Sequence, residues 1–277
     1  MKTTFPRWTP PLLAVTGGCV AFFLRLLQNR SGFETETGLP IPGNPAALAL
    51  LLLLIVLCGA LALLAFFFPK GAAFSFSTPR RPLQWLYAGG CTLLALSGLA
   101  DLAGGWSGLR AAEEISALGG NMAGSGGVNG GMRLLSGALF LLAAGGLFWY
   151  AVSLRQSAAP DATARGGIAL LIVPVAMVAR LVAVYRLYSI DPVLEHYVTE
   201  LLALSLLTLG FYTLSAFPFD AGHPRRFVFY ACAAVLFCLC SLADAGDDFA
   251  SLFLYLGGAA VLLGFLLTPS FSAVPEA

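Results

Sequence analysis

The chain has 277 residues, of which 58% are hydrophobic and only 10% charged, with a formal net charge of +1. Soluble domains carry roughly a quarter charged residues, and a soluble core could not hide this much apolar surface, so a mean hydropathy of +0.86 points to the bilayer. Nucleic-acid partners are excluded by the near-zero charge and by basic runs no longer than Arg80-Arg81 and Arg225-Arg226.

A bilayer crossing takes about 20 apolar residues in a helix, whereas barrel strands need alternating polarity. The solid Leu/Ala/Phe runs of this chain lack that alternation. The expected fold class is therefore all-α, a polytopic helical membrane protein of about eight spans. Lys2 and Arg7 precede the first run, Pro11–Leu27. A signal peptide is the weaker reading of it, because seven more spans follow and no translocated soluble domain is present. The second run, Pro45–Phe68, opens on Asn44-Pro45, an N-cap side chain followed by a proline that loses no hydrogen bond at the first helical position. The third, Pro82–Leu102, carries Asp101 next to its end.

The one long connection, Gly105 to Met132, holds a short amphipathic stretch, Leu109 to Leu118, and then glycine-rich chain. Without a preceding strand those glycines make no phosphate cradle, and a flexible extracellular loop over 105–132 is expected. The remaining runs are Leu134–Leu154, Ile168–Leu187, Val193–Phe217, Phe227–Leu242 and Phe249–Leu267. The other loops are too short to fold as domains. All six cysteines fall inside apolar runs without zinc spacing and read as packing residues.

Lys and Arg in short loops set orientation. One side holds Lys2, Arg7, Lys70, Arg80, Arg81, Arg155, Arg165, Arg225 and Arg226, against Arg30, Arg110 and Arg133 on the other. This places both termini in the cytoplasm, in a bacterial-type plasma membrane.

Polar landmarks recur in order along the two halves. Pro79-Arg80-Arg81 and Asp101 reappear as Pro224-Arg225-Arg226 and Asp244, Val20-Ala21 and Arg25 as Val175-Ala176 and Arg180, and Asn44-Pro45 as Asp191-Pro192. Two fused four-helix units, 1–155 and 156–277, related by a two-fold axis along the membrane normal, are the expectation.

At 1.5 Å per residue Arg25 and Arg180 lie roughly 20 Å from the cytoplasmic edge, and Asp101 and Asp244 reach the same outer level. Lipid does not tolerate such charges alone, so they should face inward and pair. The simplest pairing joins Arg25 with Asp101 and Arg180 with Asp244. Arg186, Glu195 and Glu200 sit near the same level and complete a candidate ligand-binding vestibule. His196 and Glu200, at i and i+4, have no second histidine nearby, so no metal or other cofactor is expected. No HExxH, GxSxG or Ser/Lys pair is present, and no enzyme is expected.

The sequence thus predicts a carrier or ligand-binding membrane component for a small polar solute. The alternative is a non-catalytic sensor or assembly subunit acting through another membrane protein or an ATPase. The bilayer is the one partner that composition dictates.

Overall fold

Helix starts follow the local chemistry. In the computed structural model Asn44 accepts from the backbone amides of Ala46 and Ala47 at 2.8 and 3.2 Å, and prolines occupy the first turn of the helices beginning at Thr9, Pro45 and Pro224. The structure describes residues 8–34, 39–67, 73–76, 81–117, 126–155, 167–188, 193, 197–219, 221–246, 248–267 and 269–272. Its main elements are α1 (Thr9–Ser31), α2 (Pro45–Phe66), α3 (Arg81–Ala117), α4 (Gly126–Arg155), α5 (Ile172–Tyr188), α6 (Val198–Ser215), α7 (Pro224–Ser241) and α8 (Phe249–Leu267). A turn at Leu171 joins α5 to a short helical lead-in, so its span runs Gly167–Tyr188. All eight are long and apolar enough to cross a bilayer, and the chain is a multi-pass helical membrane protein.

Six helices close a ring in which α3, α4, α5, α6, α7 and α8 each pack on the next and α8 returns to α3. The α1–α2 pair docks outside it on α7. Burial follows this order. The α7 and α8 spans are each 67% buried and α2 only 17%, which marks α2 as the lipid-facing edge. Its leucine-rich surface needs no protein partner, because lipid tails solvate leucine as well as another helix does. On the side of the termini, Ala73–Phe76 and Pro269–Ser272 form a two-stranded antiparallel ribbon.

The long-loop expectation is corrected. Helix α3 runs through to Ala117 and α4 starts at Gly126, leaving 118–125 between them outside the described residues. At 37 residues, α3 is about 55 Å long, well beyond the roughly 30 Å hydrocarbon layer. Glycine is a poor helix former in water, but here it lets two backbones touch. A Cβ on Gly98 would lie 2.9 Å from the Gly137 carbonyl oxygen, and one on Gly105 would lie 2.9 Å from that of Gly130. The glycines are the seam of an antiparallel hairpin.

The halves do not pack alike. Helices α3 and α8 lie along one another, yet their would-be counterparts α7 and α4 have no comparable contact among the described residues; α6 packs on α7 where α2 and α3 do not. The two-fold arrangement expected from a repeat is not seen in the packing.

Candidate functional site

Among the described residues, the buried arginines and aspartates gather at the end of the helices away from the β-ribbon, and they form two centres. At the first, Arg25 is 2% exposed. Its Nε donates to both carboxylate oxygens of Asp244 at 2.9 and 3.0 Å, and its Nη1 to Gln28 Oε1 at 2.9 Å. Asp244 sits in the turn after α7 and also accepts from Asn29 Nδ2 at 2.8 Å and Thr199 Oγ1 at 2.7 Å. Such a carboxylate has no lone pair to spare.

At the second centre, Arg180 Nη1 donates to both oxygens of Asp101 at 2.9 and 3.0 Å. Its Nη2 donates to Asp248 at 3.2 Å and to Ser251 Oγ at 2.8 Å, while the buried Nε has no protein partner. Ser136 donates to Asp101 at 3.2 Å. A second arginine, Arg133 of α4, lies 3.6 Å from Asp101 and 3.0 Å from Asp248. Arg180 and Asp101 are buried, whereas the side chains of Arg133 and Asp248 are 40% and 39% exposed. The quartet therefore runs from the protein interior to solvent. Burial pushes the Asp248 carboxyl up, but the Ser251 hydroxyl and the Arg180 and Arg133 guanidinium groups outweigh it and hold Asp248 below the usual carboxylate range.

Glu200, in the first turn of α6, is 8% exposed and accepts from the Tyr255 hydroxyl at 2.7 Å. Tyr188 is its neighbour on α5 and stacks on Tyr197 with parallel rings 5.0 Å apart. A cavity of about 470 Å³ opens between these groups, with Arg133, Arg180, Tyr188, Glu200 and Asp248 as its polar wall and Met132, Ala183, Val184 and Leu187 as its apolar wall. That volume falls in the range of small-molecule sites, and a few polar groups on an apolar wall is their usual make-up.

The expected set is thus partly brought together. Arg180, Asp101 and Glu200 share the second centre and Arg25 and Asp244 make the first, but the pairing is exchanged: Arg25 binds Asp244 and Arg180 binds Asp101. Each pair crosses between the two halves of the chain, because α1 packs on α7 while α3 and α5 both flank α4. Arg186 is exposed on the last turn of α5 and does not line the cavity. Glu195 lies outside the described residues, as do His196 and Asp247. Arg133, Asp248, Tyr188, Ser251 and Tyr255 complete the cluster beyond the expected set. Asp248 stands just before the last apolar run, and Arg133 falls between the expected loop and the run that begins at Leu134, so residue spacing assigns neither to a helix face. Among the described residues no His/Cys/Asp/Glu group could hold a metal ion.

No protein-family model, curated protein or solved structure matches the chain, so function has to be argued from these residues.

Proposed function

We propose that the chain is a ligand-binding membrane component or carrier for a small polar solute, bound in the cavity beside Arg180. The observation that carries the reading is the coincidence of a ligand-sized cavity with a charged wall that grades from buried (Arg180, Glu200) to half-exposed (Arg133, Asp248). A solute entering past Arg133 and Asp248 exchanges water for fixed charges in a low-dielectric setting, where such contacts are strong. The excess of Lys and Arg in the loops on the side of the termini turns this vestibule toward the outside of a bacterial-type plasma membrane.

Thermal-shift screening of the purified protein against amino acids, short peptides, sugars and divalent ions tests the reading. A solute that binds only the folded state raises the melting temperature, and Arg133→Gln removes that shift. Silence across the panel in the wild type contradicts it.

A second reading, an assembly or sensor subunit working through a partner membrane protein, is favoured by a different observation. The Arg25–Asp244 and Arg180–Asp101 pairs tie together helices from both halves of the chain, which is how a rigid scaffold is built. Loss of a co-purifying membrane protein on disrupting α2 supports that reading.

A further inference from the structure

Carboxylates and guanidinium groups do not balance at this end of the molecule. Among the described residues of the two centres, Arg25, Arg133 and Arg180 face Asp101, Asp244, Asp248 and Glu200, so there is one negative charge in excess. The imbalance is localised. Each of the three aspartates has an arginine within 4 Å, and Glu200 alone of the four acids has none.

Glu200 is nevertheless buried, and a lone carboxylate removed from water is unfavourable unless something neutralises it. What surrounds it falls short of that. The Tyr255 hydroxyl donates a hydrogen bond at 2.7 Å and the Tyr188 hydroxyl is placed to give another, but both donors are neutral. The first turn of α6 contributes the partial positive charge of a helix N-terminus, about half an elementary charge at most. The guanidinium of Arg180 is already shared between Asp101 and Asp248. On its remaining side Glu200 borders the cavity, beside the Tyr188 ring and the apolar strip of Ala183, Val184 and Leu187. A carboxylate next to an aromatic ring and short hydrocarbon side chains is the surrounding that suits an organic cation.

We infer that the ligand of this cavity carries an ammonium-type cationic group that pairs with Glu200. The inference rests on the binding reading above and narrows it from polar solutes to organic amines. The same chemistry is offered by free amines and by the headgroup of phosphatidylethanolamine. A zwitterion fits as well, its anionic end meeting Arg133 at the mouth.

The test uses the full chain purified in detergent, with methylammonium, tetramethylammonium and lysine as probes and acetate and glucose as controls. A parallel arm places the protein in nanodiscs of phosphatidylethanolamine or of phosphatidylglycerol. The expected result is a melting-temperature rise with the cationic probes or with phosphatidylethanolamine, absent with acetate and glucose. Glu200→Gln should weaken this binding about tenfold or more, the loss of one charge-assisted contact, while Glu200→Asp, which keeps the charge, retains part of it. Response to the soluble amines identifies a free solute, and response to phosphatidylethanolamine alone identifies a lipid. A shift given by acetate or glucose and unchanged in Glu200→Gln overturns the cationic class but leaves the vestibule as a binding site. No shift from any probe or lipid overturns both. An infrared carbonyl band of a protonated carboxyl that is present in the wild type, absent in Glu200→Gln and insensitive to amines also overturns the inference, since a proton would then be the missing charge.

Discussion

Arg25 and Arg180 are both buried near the same end of the helix ring, and each is locked to an aspartate from the other half of the chain. Their surroundings differ in one respect. Arg25 is 2% exposed, with Gln28, Asn29 and Thr199 bonded around the ion pair, and it is not in the wall of the cavity that Arg180 lines. Arg180 borders a cavity and passes its charge through Asp248 to the half-exposed Arg133. Of two ion pairs that the bilayer makes equally necessary, one serves as a clamp and the other also forms a wall. Burial of charge alone therefore does not mark a site; burial of charge beside space does.

The sharpest way to break the comparison is to remove the aspartate from each pair. Asp244→Asn and Asp101→Asn each strand a buried guanidinium, which costs about 3–5 kcal/mol when one partner of a buried pair is lost. Both variants should unfold at clearly lower temperature in detergent. Asp101→Asn alone should also alter the solute response in folded molecules, because only Arg180 faces the cavity.

A smaller effect is expected at the hairpin that presents Arg133. Leucine at Gly137 would drive its Cβ to within 2.6 Å of the Gly98 carbonyl oxygen, and overpacking of this kind costs about 1–3 kcal/mol. Gly137→Leu should loosen α4 from α3 and weaken solute binding while leaving the Arg25 centre intact. Hydrogen exchange on the two helices reads this out.

Arg133→Gln should cost no more than about 1 kcal/mol, since its pairs are partly solvent-screened, yet it should remove the solute response. Glu200→Gln goes the other way. Neutralising a buried acid without an arginine partner should leave the ligand-free melting temperature at or above the wild-type value, and a clear drop would show that Glu200 is already compensated.

The smallest expected effect is a dependence on acid. Asp248 is held below its ordinary value of 3.8, so the unfolded chain binds its proton first. Its contribution to stability is complete above that value and fades as the pH falls beneath it. Asp248→Asn should abolish this part of the acid sensitivity, measured as the wild-type-minus-variant difference in melting temperature.

Much of this arrangement is legible in the sequence, for physical reasons. Lipid forces each span to announce itself as an apolar run, and it forces Arg25, Asp101, Arg180 and Asp244 to seek one another. Depth along a helix follows from counting residues, so their common level is readable. Which helix neighbours which is not, and the exchanged pairs follow from α1 docking on α7, which no spacing encodes. The glycines from Gly98 to Gly137 mislead for a related reason: the same composition describes a flexible loop in water and a close helix seam against a second helix. With the preceding glycines expected as loop, Arg133 reads as a residue just outside a span and not as part of a helix face. The resemblance between the halves lies in landmarks such as Arg25 and Arg180, and the packing does not repeat it.

The distinction between wall and clamp can be tested most directly by thiol accessibility, with the exposed Cys19 replaced by alanine. Cysteine is placed at Ala183, in the wall of the cavity, or at Ala21, fully buried one turn before Arg25, and cells are treated from outside with a membrane-impermeant cationic thiosulfonate. The account predicts rapid labelling of Ala183→Cys, slowed by a bound amine, and no labelling of Ala21→Cys. Equal reactivity at the two positions, or labelling of Ala183→Cys only from the cytoplasmic face, would contradict it.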